Sequence, residues 1–455
     1  MVLPLLLALL APADWIPARW PWIDSASLDL LKEVPVNCLL LEWKPDRDHA
    51  AFARAACERG LVTLGVLTPG PDLLANARSA AKVHPAGLVL EGDFAADLAE
   101  AVRRETGVLV IEMTPRYRMR LGQGQPVVAT NQGVWPGVQT ETGGAHKAGP
   151  TGGVWIDTNS GFLRAARGWG DSVLWIGNRP PAGAVIPGAR YLQAIADAAL
   201  AGARWVLALD DVFAQALRTG DATARAGWQR VGRLLRFLEQ HPEWRRLQPA
   251  GQLAIIQNAE AGALLSGGIV DMIQVKHTPV RPVPRSRLRE EALAGVKMAV
   301  NVDAAGMTDA ERAVLRAFTR GGGTLLTGPP GWKSEGVHRP DRITLDKDEI
   351  DRLDQMWREV NQLIGRRNLG ARLFNVSSML SNLLTSPDGK QTVIHLVNYS
   401  GYPVESVTIH LLGEYRRARL LAPDAAEQNL ELYKTDEGTG LDIPQVGVWA
   451  TVSLE

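Results

Sequence analysis

The sequence predicts an α/β chain of several domains, led by an eight-stranded (β/α)8 barrel of the TIM type. Three observations carry this. Short apolar runs recur through the first half at 36–42, 61–67, 87–91, 107–112, 126–130, 153–157, 172–177 and 204–211. Stretches of helical period separate several of them, which signals a parallel sheet with helices outside. Five of the runs end on acids: Glu42, Glu91, Glu112, Asp157 and the pair Asp210 and Asp211. In a parallel barrel the C-terminal strand ends share one face, and barrel enzymes work there.

Run 36–42 leads into a helix over 48–59, run 61–67 into one over 72–82, and run 87–91 into one over 95–106, where Leu98 and Val102 share an apolar stripe. Only 114–125 separates runs 107–112 and 126–130, which is short for a crossover helix. Glycine-rich 143–153 reads as an exposed loop. A short helix fits 161–168, a longer one 191–202 and another 222–240, whose basic residues read as a solvated face. The Trp- and Pro-rich stretch 14–35 lacks periodicity and reads as a lead-in across the barrel, which is expected to extend to about 248.

A second unit follows over 249–368. Runs 252–256, 296–301 and 324–327 read as strands. Thr308-Asp-Ala-Glu311 is a capping box opening a helix that closes on Gly321-Gly-Gly323, and 348–364 is a further amphipathic helix. This is the pattern of a small doubly wound, flavodoxin-like domain. From 369 to 455, strand-like runs at 392–398, 404–412, 415–421 and 447–454 without helices predict an antiparallel β-sandwich.

At 455 residues the chain exceeds one core. Lys plus Arg and Asp plus Glu both number 49, so no net field favours nucleic acid or an anionic membrane. Apolar residues 1–10 followed by Ala11-Pro12-Ala13 resemble a signal peptide ending at 13, so the chain is expected to be exported. No stretch is long enough to insert into a membrane as a helix. Two cysteines, Cys38 and Cys57, make no disulfide scaffold. They are either a pair in an exported chain or two buried thiols. No His-Glu-x-x-His and no paired cysteine spacing occur, so neither metal nor cofactor is expected.

The order of barrel, strand–capping box–helix–Gly-Gly-Gly–strand unit and β domain resembles glycoside hydrolases built like the family 42 β-galactosidases. Their middle domain is similar to class I glutamine amidotransferases and often mediates trimers, so the resemblance implies a glycoside or oligosaccharide substrate and a homo-oligomer. Amidotransferase chemistry needs a cysteine nucleophile, and no cysteine follows Cys57. In those galactosidases an Asn-Glu pair ends strand four and a Glu ends strand seven. Here the corresponding runs end Ile111-Glu112 and Gly177-Asn178, so a retaining pair on those strands does not carry over.

Glycoside hydrolysis needs two carboxyl groups about the scissile bond, one of them protonated. The expected pair is Glu112 and Asp157, with Glu91 or Asp210 setting their pKa values and Glu42, Asp93 and Asp211 as further acids on the same face. Each acid has a second possible role in a ring of salt bridges and helix caps. Arg116 and Arg118 stand near Glu112 to hold an acid ionised or to meet an anionic substrate. The loop 131–139 supplies Asn131, Gln132 and Trp135 to bind hydroxyls and stack on a sugar ring. Trp43, Asn159 and Asn178 are further substrate-binding candidates. The expected function is hydrolysis of a glycosidic bond. Its competitor is glycan binding without catalysis on the same scaffold.

Overall fold

The computed structural model describes residues 11–122, 124–136, 138–140, 146–148, 158–257, 277–302, 304, 306–327, 347–365, 368–376 and 378–455. They form two compact units. One holds 1–133, 171–191 and 203–239, and the other holds 134–170, 192–202 and 240–455. Segments 134–170 and 192–202, which the sequence places inside the barrel, therefore group with the later domains.

The first unit is the barrel. Its strands are β1 (Pro17–Arg19), β2 (Cys38–Glu42), β3 (Val62–Leu67), β4 (Leu88–Glu91), β5 (Val110–Thr114) and β6 (Val127–Thr130). Two strands, β7 (Val138–Thr140) and β8 (His146–Ala148), form a separate ribbon in the second unit, and β9 (Val173–Ile176) and β10 (Arg204–Trp205) complete the barrel. The eight-stranded sheet is parallel, in the order β1-β2-β3-β4-β5-β6-β9-β10. It closes beyond β10, where Arg19 N donates to Leu207 O at 2.7 Å and Leu207 N to Pro17 O at 3.1 Å.

The count of eight strands stands, but closure changes which segments supply them. Run 153–157 lies outside the described residues, and β6 pairs directly with β9 from Val127↔Val173 to Thr130↔Ile176. No strand stands between them. The missing place is filled by Pro17–Arg19, inside the expected lead-in. Three residues are too few to show a period, and a proline at a strand's first position needs no ladder donor.

Strand alternation builds two apolar layers. Cys38, Leu40, Leu64, Val89, Ile111, Met113, Trp175 and Val206 pack together inside. Leu88, Leu90 and Val110 point outward onto Ala77, Ala80, Ala99 and Val102, which belong to helices α2 (Leu73–Val83) and α3 (Ala96–Thr106); α1 (His49–Glu58) precedes them. Asp48 caps α1 by accepting from Ala51 N at 3.1 Å. Gly107 ends α3 at φ 68°, a left-handed position that favours glycine. Between β5 and β6 the described residues hold a single 3-10 turn, Arg116–Arg118, in keeping with the short spacing. Helices α4 (Ser160–Arg167), α5 (Gly188–Leu200), α6 (Asp211–Thr219) and α7 (Ala222–Glu239) follow. Cys38 is buried and Cys57 exposed, both free. The alternative of two buried thiols thus fails at Cys57, which lies beyond the apolar face of α1.

In the second unit β11 (Gln248–Pro249) joins the sandwich, while β12 (Leu253–Gln257), β13 (Val280–Pro284), β14 (Met298–Asn301) and β15 (Thr324–Thr327) form a parallel sheet of order β13-β12-β14-β15. That is the flavodoxin-like order at the start of a doubly wound sheet. Leu253, Ile255 and Val280 face α9 (Lys347–Ile364) through Met356 and Val360. Ala254, Ile256 and Ala299 face the other side with Leu315 of α8 (Asp309–Arg320). The capping box is present, with Thr308 and Glu311 bonded reciprocally. The sequence reading passes over β13 because Pro282 and Pro284 argue against a strand; it stands at the sheet edge, where prolines are tolerated. The C-terminal domain packs a six-stranded sheet, including Thr392–Asn398 and Trp449–Leu454, against a four-stranded one built on Val404–Leu412 and Gly438–Val446. No helix among the described residues is long and apolar enough to cross a membrane.

Two buried histidines give a pH signature. Burial, with His49 beside it, pushes the His84 imidazole down to about 4. Burial, with Arg167 and Arg164 nearby, pushes His395 down to about 3. In both cases the unfolded chain binds the extra proton first. Their stabilising contribution is complete above about pH 6.5 and is lost as the pH falls toward those values. At roughly 1.4 kcal/mol per unit, the loss at the acid end is on the order of 3 kcal/mol for His84 and about 5 kcal/mol for His395. Melting temperature measured against pH is expected to fall less steeply between pH 6.5 and 4 in His84→Gln than in wild type.

Candidate active site at the barrel mouth

Alternation decides which strand-end acids reach the mouth. On β2, Glu42 shares the inward parity of Cys38 and Leu40, and on β4 Glu91 shares that of Val89. On β5, Ile111 and Met113 point inward, so Glu112 points outward. There it pairs with Arg103 of α3, and Arg120 lies 3.8 Å away. The expected position of Glu112 at the mouth is therefore overturned. It ends its apolar run in the sequence but sits mid-strand, one residue out of phase with the interior. Its expected partner Asp157 lies outside the described residues.

A cleft of about 390 Å³ opens at the mouth. That is within the roughly 300–1,000 Å³ of small-ligand sites. Arg19, Glu42, Lys44, Arg47 and Arg179 line one part, with Asp210 and Asp211 at the start of α6. Pro21, Pro181 and Val212 supply apolar surface.

Glu91 lies behind this wall, 8% exposed. Arg19 grips it bidentately, Nη1 to Oε2 at 2.8 Å and Nη2 to Oε1 at 2.5 Å. Arg179 Nη2 adds a contact to Oε2 at 3.3 Å. Burial alone raises this carboxyl; the Arg19 and Arg179 guanidiniums more than offset it and hold Glu91 below the usual carboxylate range. Arg179 also reaches Glu42, Nη1 to Oε2 at 3.6 Å, so one guanidinium spans two inward acids.

Asp210 is a helix cap. Its carboxylate accepts from Phe213 N at 2.9 Å, Ile186 N at 3.2 Å and the Tyr191 hydroxyl at 2.7 Å. Burial and the adjacent carboxylate push the Tyr191 phenol up, so it stays a donor. Asp211, the next residue, is exposed on the cleft wall. Asp93 is exposed and bonded by Tyr117 at 2.6 Å and Arg118 at 3.0 Å.

The amide loop is stitched to strand ends. Arg116 donates from N and Nε to the side chain and carbonyl of Gln132 at 2.8 and 3.0 Å. Asn178 Nδ2 donates to Gly133 O at 3.1 Å. A Cβ on Gly133 would sit 2.7 Å from the Trp205 ring, so only glycine fits. Asn131 N bonds Thr114 O at 3.3 Å. These residues hold the loop in place, the ordinary use of loop amides.

Three aromatic and amide expectations are corrected by burial. Trp135 is 4% exposed and presents no ring face to a sugar. Asn159 is fully buried, bonded to both backbone groups of Val134 and to Asp197. Trp43 stacks on His49, ring centroids 4.8 Å apart, and is half-buried. Indoles and amides with strand-end neighbours were drawn into packing because burial of an aromatic ring outweighs its use as a platform. Sequence reading missed Arg19, Arg179, Lys44 and Arg47. Arg179 carried one signal, its place directly after the strand-end residue Asn178.

No protein-family model matches the chain, and no curated protein sequence matches it. Solved structures do. The chain is similar to α-L-fucosidase isoenzyme 2 from Paenibacillus thiaminolyticus, with a TM-score of 0.64 at 12% identity, covering 97% of each chain. It is also similar to a β-galactosidase from Rahnella sp. R3, with a TM-score of 0.53 at 10% identity, covering 96% of this chain and 97% of that one. The fold is like that of these glycosidases. At these identities the likeness is one of architecture, and it reaches across barrel, middle domain and sandwich alike.

The Arg19–Glu91 pair is nearly dehydrated, with side chains 11% and 9% exposed. Removing one partner from a buried pair costs about 3–5 kcal/mol, because the other charge is stranded. Glu91→Gln is therefore expected to lose that much stability in urea unfolding, several times the loss from removing the exposed Asp93 carboxylate.

Proposed function

We propose that this chain acts on a glycosidic bond at the barrel mouth, with Glu42 and Asp211 as the working carboxyl groups. The observation that carries the reading is their common exposure on one cleft in a glycoside-hydrolase fold. They flank β1, Glu42 ending β2 and Asp211 following β10 at the start of α6. In such a pair one acid protonates the leaving oxygen and the other acts as base or nucleophile. Glu91, held ionised, cannot donate a proton. It fixes Arg19 and Arg179 beside the cleft. The family 42 resemblance supports a galactoside-type substrate only as far as architecture goes.

Glu42→Gln and Asp211→Asn are each expected to lower turnover of a responsive glycoside by at least about a hundredfold while the melting temperature holds. A second reading, glycan binding without turnover, is favoured by the locking of Glu91 in an ion pair. Under it, a glycan panel raises the melting temperature of wild type and is not cleaved.

We also propose export, on the apolar stretch 1–10 and the small residues Ala11 and Ala13. N-terminal sequencing of the protein from the periplasm or medium of its host is expected to start after Ala13. An intact Met1 in the cytoplasmic fraction would refute this.

A further inference from the structure

We infer that the cleft selects a sugar bearing an anionic group, a carboxylate or a sulfate, and that Arg179 is the residue that selects it. This rests on the reading of the mouth as a glycan site.

Four cations border the cleft: Arg19, Lys44, Arg47 and Arg179. The two buried acids beside it are already engaged. Glu91 takes both Nη atoms of Arg19, and Asp210 takes two backbone amides and a phenol. On the open wall this leaves Glu42 and Asp211 facing Lys44, Arg47 and Arg179. Arg47 makes no ion pair among the described residues, and Lys44 stands 3.8 Å from Glu42.

Arg179 is half exposed and makes two long contacts, 3.3 Å to Glu91 and 3.6 Å to Glu42. Charge-assisted bonds of this kind close to about 2.7–2.9 Å when satisfied. The guanidinium is thus placed by two acids without being saturated by either. Its planar fork can turn donors to a third anion bidentately, as arginine does for carboxylates. Lys44 and Arg47 add positive charge on the same wall. Pro21, Pro181 and Val212 offer the apolar surface that the C–H face of a sugar ring needs. A neutral sugar would use this apolar wall but leave the cations unmatched.

The test uses the full chain and matched trisaccharides, α- and β-linked glucosyl and galactosyl series, each neutral, oxidised to the uronate or sulfated at O6. Binding is measured by calorimetry at low and high salt, and turnover by reducing ends. Uronate or sulfate forms are expected to bind at least about tenfold tighter than the neutral form, with the margin shrinking at high salt. Arg179→Gln is expected to erase the margin, and Arg47→Gln, which touches no buried acid, to reduce it severalfold. Preference for uronate over sulfate would identify the planar carboxylate as the group read, and the reverse would identify the sulfate. If neutral and charged forms bind alike and neither variant changes this, the inference is overturned while the glycan reading stands. If no member of the panel binds or is cleaved, both fall.

Discussion

Closure of the sheet by the three residues Pro17–Arg19 is the constraint on which the rest of the first unit depends. A seven-stranded parallel sheet would leave two edges of unpaired donors and acceptors. The bonds from Arg19 N to Leu207 O and from Leu207 N to Pro17 O remove both edges. The same short strand delivers the Arg19 side chain into the interior, where it meets Glu91. One element thus seals the barrel and neutralises the buried Glu91. Without Arg19, burial would favour the protonated form of Glu91; with it, the group is a fixed negative charge that can anchor Arg179.

The strand period then decides chemistry. A carboxylate one residue out of phase belongs to a different solvent. Glu42 and Glu91 share the interior parity and gather cations at the mouth, whereas Glu112 is spent on Arg103 at the outer surface. Asp210 and Asp211 show the same sorting at a helix start. The first residue turns its carboxylate to the exposed amides of α6, as a cap must. The second is left facing the cleft. Adjacent acids of one type thus differ in role through backbone direction alone.

The second unit is held by a different device. Its doubly wound sheet and sandwich are conventional apolar layers, but a buried polar cluster runs between helices and strands. Asp197, fully buried, accepts from Asn159 and from the Tyr399 hydroxyl at 2.6 Å. Gln193 donates to the carbonyls of Asn398 and Ser400, and Arg164 to that of Ser381. Such groups are tolerated only when paired. Their satisfaction explains why segments 134–170 and 192–202 group with the later domains: their polar partners are there.

By itself the sequence determined the periodic elements and the class of fold they make. Buried parallel strands, the capping box at Thr308, the glycine stop after α8 and the switch to strands after 369 are local in cause, written in spacing and turn chemistry over a few residues. Most barrel strands and the helices α1, α2, α3 and α7 fall where that spacing puts them. Tertiary structure decided what spacing could not express. Whether Pro17–Arg19 is a strand depends on a partner at Leu207, far away in the chain. Whether Glu112 faces water or substrate depends on the phase at which its strand enters the sheet. Whether Trp135 and Asn159 bind sugar or fill a core depends on what packs over them. The cations of the mouth come from three separate stretches, Arg19, Lys44 with Arg47, and Arg179, that only closure of the barrel brings together. Local physics writes the elements; the site is a product of long-range pairing.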